Sequence, residues 1–230
     1  MTKVAWSWLG RVEYSEALTR QRLRRADVIQ GAASEVIWLL EHDSVITTGR
    51  RSVEGLPSKA VLAATGTQLV HTERGGLATW HGPGQLVAYA IVNAWDRKLG
   101  ARGTVCAMEQ GVIHFLQDHA VEASRRPGYP GVWVGRDKIC AVGMHFSRGV
   151  SMHGVALNLA TELPGFDLIL PCGIRDGGVT SLGILTGIEH SAEDLAPALG
   201  RALQAALSAA TENKASSCVP NALDGSEPER

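Results

Sequence analysis

The sequence predicts an α/β fold of the α+β type, in which a mixed, largely antiparallel sheet packs against helices. Two observations support this class. Predicted strands and helices are interleaved irregularly, and several consecutive strands are separated only by tight turns, which favours antiparallel pairing over a doubly wound parallel sheet. The length of 230 residues suits one domain with a substantial core. We therefore expect a single domain over residues 1–210 and a polar, disordered tail over 211–230.

In the N-terminal half, each element has a local signal. Ser15 can cap a first helix, because apolar residues follow it at helical spacing. Two strands rich in β-branched and aromatic residues come next, separated by Asp43 and Ser44. A short helix that ends at Gly66 precedes two further strands, which flank a Gly-rich loop. These elements are, in order, 15–29, 35–42, 45–50, 57–64, 68–73 and 85–92.

The C-terminal half begins with a helical pattern and then changes to a pattern of strands before a last helix. Apolar residues recur at helical spacing from Val105 onward and predict one helix packed by a single face. A meander of three strands follows, broken at Gly135 and Gly149. Ser191 and Asp194 resemble a capping pair that opens a last helix. These elements are, in order, 104–121, 132–134, 139–146, 151–159 and 191–207.

Composition disfavours several functional classes. The 22 basic and 23 acidic residues give a net charge of −1, so no overall field attracts nucleic acid. No apolar run is long enough to span a membrane, and the first ten residues lack a secretory pattern. We therefore expect a cytoplasmic protein. The four cysteines form no C-x-x-C pair, which argues against structural zinc and against a disulfide scaffold, and the sequence requires no metal or cofactor.

Three Gly-rich segments are candidates for chemistry, because clustered glycines allow close approach to the backbone. The segment 74–85 can offer N–H groups and a cation to a ligand, or it can be a tight turn with a buried His81. Lys138 opens an apolar strand, either as a strand-end charge or as a desolvated amine that shuttles protons. Cys172 lies between Pro and Gly, either as a nucleophile or as an inert small residue.

These segments together resemble the lipoyl(octanoyl) transferase family over roughly residues 10–205. The matching stretches are Arg74-Gly-Gly-x-x-Thr-Trp-His-Gly-Pro-Gly-Gln85, Lys138-Ile-x-Ala-x-Gly143, His153-Gly-x-Ala-x-Asn158 and Pro171-Cys-Gly-Ile174. The resemblance implies the fold shared with biotin protein ligases and lipoate-protein ligases. It also implies transfer of an octanoyl group from octanoyl-acyl carrier protein to a lysine of lipoyl domains, in 2-oxoacid dehydrogenases and in glycine cleavage H protein. This transfer is the first step of endogenous protein lipoylation.

The resemblance also implies roles for single residues. Cys172 is the nucleophile that forms an acyl-thioester, and Lys138 lowers the pKa of Cys172 and shuttles protons. The implied substrate-binding residues are Arg74, Gly75, Gly76, Leu77, Ala78, Thr79, Trp80, His81, Ala141, Val142, Gly143, Gly154, Val155 and Ala156. Trp80 stands where the family usually carries Tyr or Phe, so a larger ring is expected to trim the acyl pocket.

Acyl carrier proteins are acidic as a family, so a basic surface should guide their docking. The run 20–25 on the first helix, with four arginines, is one candidate, and Arg74 is another. The same run also fits a solvated helix face.

Three other functions remain open. An ATP-dependent lipoate or biotin ligase would need an adenylate-binding loop, and the segment 47–52 lacks the second glycine of that loop. A non-catalytic acyl-binding or cofactor-binding module would use the same pocket without turnover. A cysteine hydrolase would take His81, His145 or His153 as its base.

Overall fold

The computed structural model describes residues 3–51, 55–160, 162–169 and 177–213. Its strands are β1 (Ala5–Arg11), β2 (Val36–Glu41), β3 (Val45–Thr48), β4 (Gln68–His71), β5 (Thr79–His81), β6 (Gln85–Ile91), β7 (Ser124–Arg126), β8 (Tyr129–Val134), β9 (Asp137–Ser147) and β10 (Val150–Asn158). Its α-helices are α1 (Tyr14–Gln30), α2 (Lys59–Thr65), α3 (Gly100–Asp118), α4 (Leu182–Thr186) and α5 (Ala192–Asn213). A 3-10 helix spans Pro164–Leu168.

The strands form two sheets. The larger sheet has seven strands in the order β1-β2-β6-β10-β9-β8-β7. Within it only β1 and β2 run parallel among the described residues, and the other neighbouring strands are antiparallel. The smaller sheet has the order β4-β3-β5, with β3 parallel to β4 and antiparallel to β5. The predicted mixed, largely antiparallel sheet with packed helices is therefore confirmed.

Helices cover the two faces of the larger sheet unequally. On one face, α3 and α5 bury Met108, Phe115 and Leu203 against the sheet in the main core. These helices cross closely at Gly111, where a Cβ atom would lie 2.8 Å from the Cα of Leu203. On the other face α1 buries only a smaller cluster with Tyr89 and its neighbours on β6. The rest of that face is free to form a cleft with the smaller sheet.

The first helix begins two residues earlier than predicted. Glu13 caps it by accepting a hydrogen bond from the Glu16 N–H at 2.8 Å, whereas Ser15 lies inside the first turn. An acidic side chain at this end is stabilised by the positive end of the helix dipole. Other elements were not predicted at all, namely β1, β5, β7, α4 and the 3-10 helix.

The C-terminal helix is longer than predicted, since α5 continues through Asn213 into the segment expected to be a tail. Residues 214–230 lie outside the described residues, so the tail itself stays a prediction. In the described part of the chain, no helix is both long enough and apolar enough to cross a membrane.

Candidate active site

A cleft lies between the larger sheet and the Gly-rich segment 74–79. Its floor consists of two rows of paired residues that cross β6, β10 and β9, and both rows face the same side because side chains alternate along a strand. The first row is Val87, Ala156 and Ala141, and the second is Tyr89, Gly154 and Gly143. Small residues on β9 and β10 leave a narrow space above them, with a cavity volume of about 40 Å³.

Two glycines of the floor are required by close approaches. A Cβ atom at Gly154 would overlap the carbonyl oxygen of Ala88 on the neighbouring strand. At Gly143 a Cβ would lie 3.0 Å from the carbonyl oxygen of Gly75 and 3.3 Å from Cδ of Arg74. Gly154 therefore lets β10 approach β6, and Gly143 lets the covering segment approach the floor.

We expect Gly154→Ala to destabilise the fold by about 3 kcal/mol, because the obstructing atom belongs to the backbone and cannot rotate away. Urea denaturation measures this change in the free energy of unfolding. Gly75→Ala is the matched control, since its Cβ would lie 3.4 Å from the Met144 carbonyl oxygen, an ordinary contact. Equal stability of the two variants would contradict the assignment.

The segment that covers the cleft, here called the roof (74–79), is held by Arg74. This side chain is buried. Its Nη2 donates to the carbonyl oxygen of Thr47 at 2.5 Å and to Oγ1 of Thr47 at 2.9 Å, and its Nη1 donates to the Gly75 carbonyl oxygen at 3.0 Å. An enclosed guanidinium cannot meet a protein surface, so the expectation that Arg74 guides docking is wrong.

Backbone hydrogen bonds hold the roof on two sides. The Gly75 N–H donates to the Met144 carbonyl oxygen on β9 at 3.0 Å. On the other side, Gly49 N–H donates to the Leu77 carbonyl oxygen at 3.3 Å, and Arg50 N–H donates to the Arg74 carbonyl oxygen at 3.1 Å. The roof is thus joined both to the floor and to the chain that follows β3.

Trp80 does not line the cleft. Along β5, Thr79 and His81 face the cleft while the indole of Trp80 points away. The indole packs edge-on against Phe166 with 5.5 Å between ring centroids, and its Nε1 donates to Oγ of Ser44 at 3.0 Å. The expectation that this larger ring trims the acyl pocket is therefore wrong, because the ring fills a separate small core.

Most of the other implied substrate-binding residues surround the cleft. Those that line it are Arg74, Gly76, Leu77, Thr79, His81, Ala141, Val142, Gly143, Gly154, Val155 and Ala156. Gly75 lines an adjoining groove instead, and Ala78 is buried in the small core with Trp80. Substrate contact by these residues stays a prediction.

Lys138 lies in that adjoining groove, which shares Gly76, Leu77, Val142 and Gly143 with the cleft. Its side chain is buried, with 7% exposed. The ammonium donates to the Pro130 carbonyl oxygen at 3.1 Å and lies 4.8 Å from the centroid of the Trp133 ring. An ammonium has three N–H donors, so this contact leaves it able to bind further groups.

Cys172 lies outside the described residues, but the chain that follows it is anchored to Lys138. The Lys138 N–H donates to the Gly178 carbonyl oxygen at 3.0 Å, and the Thr180 N–H donates to the Lys138 carbonyl oxygen at 3.0 Å. A different thiol, Cys140, is free but fully buried in the main core. Burial raises the pKa of Cys140 far above its ordinary value, so this thiol is unsuited to act as a nucleophile.

A cluster of rings that sequence reasoning did not assemble forms one wall of the cleft and the layer behind it. Its members are Tyr14, His42, His81, Tyr89 and His153. His42 donates from Nδ1 to the Val12 carbonyl oxygen at 2.6 Å, so its Nε2 accepts from the Tyr89 hydroxyl at 2.7 Å. In the part of the chain that the structure describes, no group of His, Cys, Asp and Glu could hold a metal ion.

Burial keeps these histidines uncharged at neutral pH. Loss of hydration lowers the pKa of His42 to about 4 and the pKa of His81 to about 3. It likewise lowers the pKa of His153 to about 3. Burial also raises the pKa of Tyr14 to about 12. The cluster therefore offers neutral donors and acceptors to the cleft.

Comparison with known proteins decides the family. The model of the lipoyl protein ligase A/B catalytic domain matches residues 13–204. The chain belongs to this family. Its lipoyl protein ligase A/B catalytic domain therefore covers nearly the whole span over which the sequence motifs indicated a resemblance.

Members of the lipoyl protein ligase A/B family with similar sequences are named octanoyltransferases. The one from Alkaliphilus metalliredigens is 44% identical over 182 residues, which cover 78% of this chain and 84% of the relative. The one from Clavibacter sepedonicus is 40% identical over 220 residues, which cover 92% of each chain. The chain is accordingly an acyltransferase.

Solved structures confirm the predicted relationship of the fold. A lipoate-protein ligase A bound with ATP superposes with a TM-score of 0.70 at 18% identity, covering 90% of this chain and 86% of the ligase. Biotin protein ligase from Aquifex aeolicus superposes with a TM-score of 0.52 at 12% identity, covering 92% and 72%. At these identities the similarity concerns the fold alone.

Proposed function

We propose that this acyltransferase moves an octanoyl group from octanoyl-acyl carrier protein to a lysine of a lipoyl domain. Cys172 carries the group as a thioester, and Lys138 is its partner in both halves of the reaction. The octanoyl group and the lipoyl acceptor are supported by the names of the relatives and of the family. The thioester and the carrier-protein donor are our own inference.

The observation that carries the proposal is the position of Lys138. Its ammonium borders a groove that meets the apolar cleft at Gly76 and Gly143. An acyl chain lying over the small residues of the floor would therefore have its carbonyl end near this amine. The burial of Lys138 weakens screening by water, which strengthens its interaction with a nearby anion.

The second support is the return of the chain after Cys172. Gly178 and Thr180 pair with the backbone of Lys138, and Cys172 stands only six positions before Gly178. A thiol on this segment is thus tethered to the strand that carries the amine. A cation close to a cysteine favours the thiolate, which is the reactive form.

In the first half-reaction, the Cys172 thiolate attacks the carbonyl carbon of the donor thioester. A new C–S bond forms, and the bond to the carrier's thiol breaks. The departing thiolate takes a proton from the Lys138 ammonium, which leaves a neutral amine beside the acylated cysteine. The donor leaves as a free thiol, so charge and protons balance.

In the second half-reaction, the lysine amine of the lipoyl domain attacks the Cys172 thioester. A C–N bond forms, the C–S bond breaks, and the attacking nitrogen gives a proton to the neutral Lys138. The products are the amide, the Cys172 thiolate and the Lys138 ammonium. The starting ion pair is thereby restored, which explains why one lysine suffices for both steps.

Docking of the acidic carrier is proposed to use α1. Two of the four arginines of its basic run have carboxylate partners, since Arg20 pairs with Glu16 and Arg22 pairs with Glu73 at 3.0 Å. Arg25 instead bonds to Nδ1 of His145 at 2.8 Å, which leaves its charge uncompensated by that partner. The run therefore keeps a positive charge next to the roof, because Glu73 precedes Arg74.

The test is intact mass spectrometry after mixing the protein with octanoylated acyl carrier protein in the absence of ATP. We expect a gain of one octanoyl group that hydroxylamine removes, and no gain in Cys172→Ser, which lacks the sulfur. The protein is kept reduced during the assay, since only a free thiolate can form the thioester.

Cys140→Ser is the matched control, since it removes a different thiol that lies in the core. It should still gain the octanoyl group. Normal transfer by Cys172→Ser would disprove the thioester scheme. Transfer that requires ATP would assign the chain to the ligases instead.

A further inference from the structure

His153 has an unusual backbone and a buried side chain. Its φ angle is +60°, a left-handed conformation that few residues other than glycine adopt and that often accompanies function. The N–H of His153 donates to Oε1 of Gln21 on α1 at 2.7 Å. The side chain lines the cleft with only 2% of the residue exposed.

Two buried nitrogen atoms lack partners at this corner. Neither Nε2 of His153 nor Nε2 of Gln21 has a hydrogen-bond partner within the described ranges. Buried polar atoms are nearly always paired in folded proteins, so each exception requires an explanation. Since Gln21 is held against the His153 backbone by its own oxygen, the two unpaired atoms belong to one corner of the site.

This corner is at the far end of the cleft from Lys138. Lys138 lies at the start of β9, whereas His153 pairs with Met144, near the opposite end of that strand. Tyr89 and Gly154 lie beside it in the second row of the floor. A chain with its carbonyl near Lys138 therefore extends along the floor towards His153.

We propose that this corner is a second subsite, in which Nε2 of His153 binds a hydroxyl group at the free end of a medium-length acyl chain. The proposal rests on the proposed function for the orientation of the chain. A neutral imidazole nitrogen donates or accepts according to its tautomer, and a hydroxyl group matches either one. A terminal methyl group could not satisfy this nitrogen.

The test measures binding of free acids by calorimetry, using the full chain. The probes are octanoic and 8-hydroxyoctanoic acid, with decanoic and 10-hydroxydecanoic acid as a second pair to cover the reach of the subsite. We expect the hydroxy acid of at least one pair to bind as tightly as its parent. His153→Phe keeps a ring but removes both nitrogens. In this variant the Kd of the hydroxy acid should rise by about tenfold relative to the Kd of its parent acid.

His145→Phe is the matched control, because the same change is made on β9 at a residue that lines neither the cleft nor the groove. It should leave the ratio of the two Kd values unchanged. An unchanged ratio in His153→Phe would overturn the subsite. If that variant fails to fold, the wild-type ratio decides, since tenfold weaker binding of both hydroxy acids would overturn the proposal equally.

Failure of the subsite is distinguishable from failure of the proposed function. Binding of free acids requires neither Cys172 nor a carrier protein, whereas the transfer assay requires both. Octanoyl transfer together with a ratio of Kd values that His153→Phe leaves unchanged would reject only the subsite. A ratio that His153→Phe shifts about tenfold, without octanoyl transfer, would keep the subsite and reject the proposed donor chemistry.

Discussion

Lys138→Met is expected to lower the rate of transfer by a factor of about 10²–10⁴, the usual contribution of a positioned proton donor and acceptor. Met fills much of the same volume between Gly131 and Trp133 but has no amine, so the loss reports chemistry rather than a cavity. Single-turnover mass spectrometry at several pH values separates acylation of Cys172 from transfer to a lipoyl domain. Acylation in this variant should require a higher pH, because the thiolate loses its neighbouring cation.

Lys138→Arg divides the two roles of the lysine. An arginine keeps the positive charge that favours the Cys172 thiolate, but its guanidinium neither releases nor accepts a proton in proteins. In acylation the departing carrier thiolate can take its proton from water instead, whereas in transfer no neutral amine remains to accept a proton from the attacking lysine. We expect the variant to form the acyl-enzyme and then to transfer it slowly, so that the thioester accumulates. Full turnover by either variant would remove Lys138 from the mechanism.

Mild acid is expected to unfold the protein steeply. His42, His81 and His153 are buried with pKa values lowered to between about 3 and 4, whereas the unfolded chain binds protons on histidine with a pKa near ~6.5. Above that pH both states are neutral and stability is at its maximum. Below it the unfolded state gains protons that the folded state refuses, and stability falls until the folded pKa is reached.

The magnitude follows from the number of histidines. One group with a depressed pKa removes about 1.4 kcal/mol per pH unit, so three together remove about 4 kcal/mol per unit. Urea denaturation at pH 7.5, 6.5, 5.5 and 4.5 measures this dependence. A total stability of about 5–15 kcal/mol would be exhausted within a few pH units.

A variant tests the origin of the acid sensitivity. His42→Gln should reduce the slope by about a third, since it removes one of the three buried imidazoles. His114→Gln is the control, because that side chain lies on α3 and bonds only to Gln110 at 2.8 Å among the described residues. An unchanged slope in His42→Gln, or an equal reduction in His114→Gln, would assign the sensitivity to other groups.

Elements with strong local signals could be predicted from the sequence. Gly66 ends a helix in a left-handed conformation as expected, and the apolar spacing from Val105 predicted a helix that α3 confirms. β1 was missed because its half-buried residues do not alternate cleanly, and its stability depends on parallel pairing with β2. β5 was missed because three residues inside a Gly-rich segment carry too little pattern.

The parts of the site in which glycines allow two backbone segments to approach each other could be predicted from the sequence. The parts in which side chains from distant positions meet could not. Gly143 and Gly154 are required by close backbone approaches within the cleft. The contact of His42 with Tyr89 joins residues 47 positions apart, and no local pattern marks it. Trp80 was misplaced because alternation along β5 turns it away from its neighbours, which a loop assignment could not anticipate.

The roof, joined by backbone hydrogen bonds to β9 and to the chain after β3, has a consequence for how a substrate gets in. A segment fixed on both sides does not swing open, so under the proposed function an acyl chain enters lengthwise beneath it, free end first. Selection would then depend on the cross-section of the chain where the cleft meets the groove, a junction that Leu77 and Val142 line on both sides. An acyl chain with a branch close to its carbonyl group would be excluded sterically. An unbranched chain would fit, and its bulky carrier would remain outside the cleft.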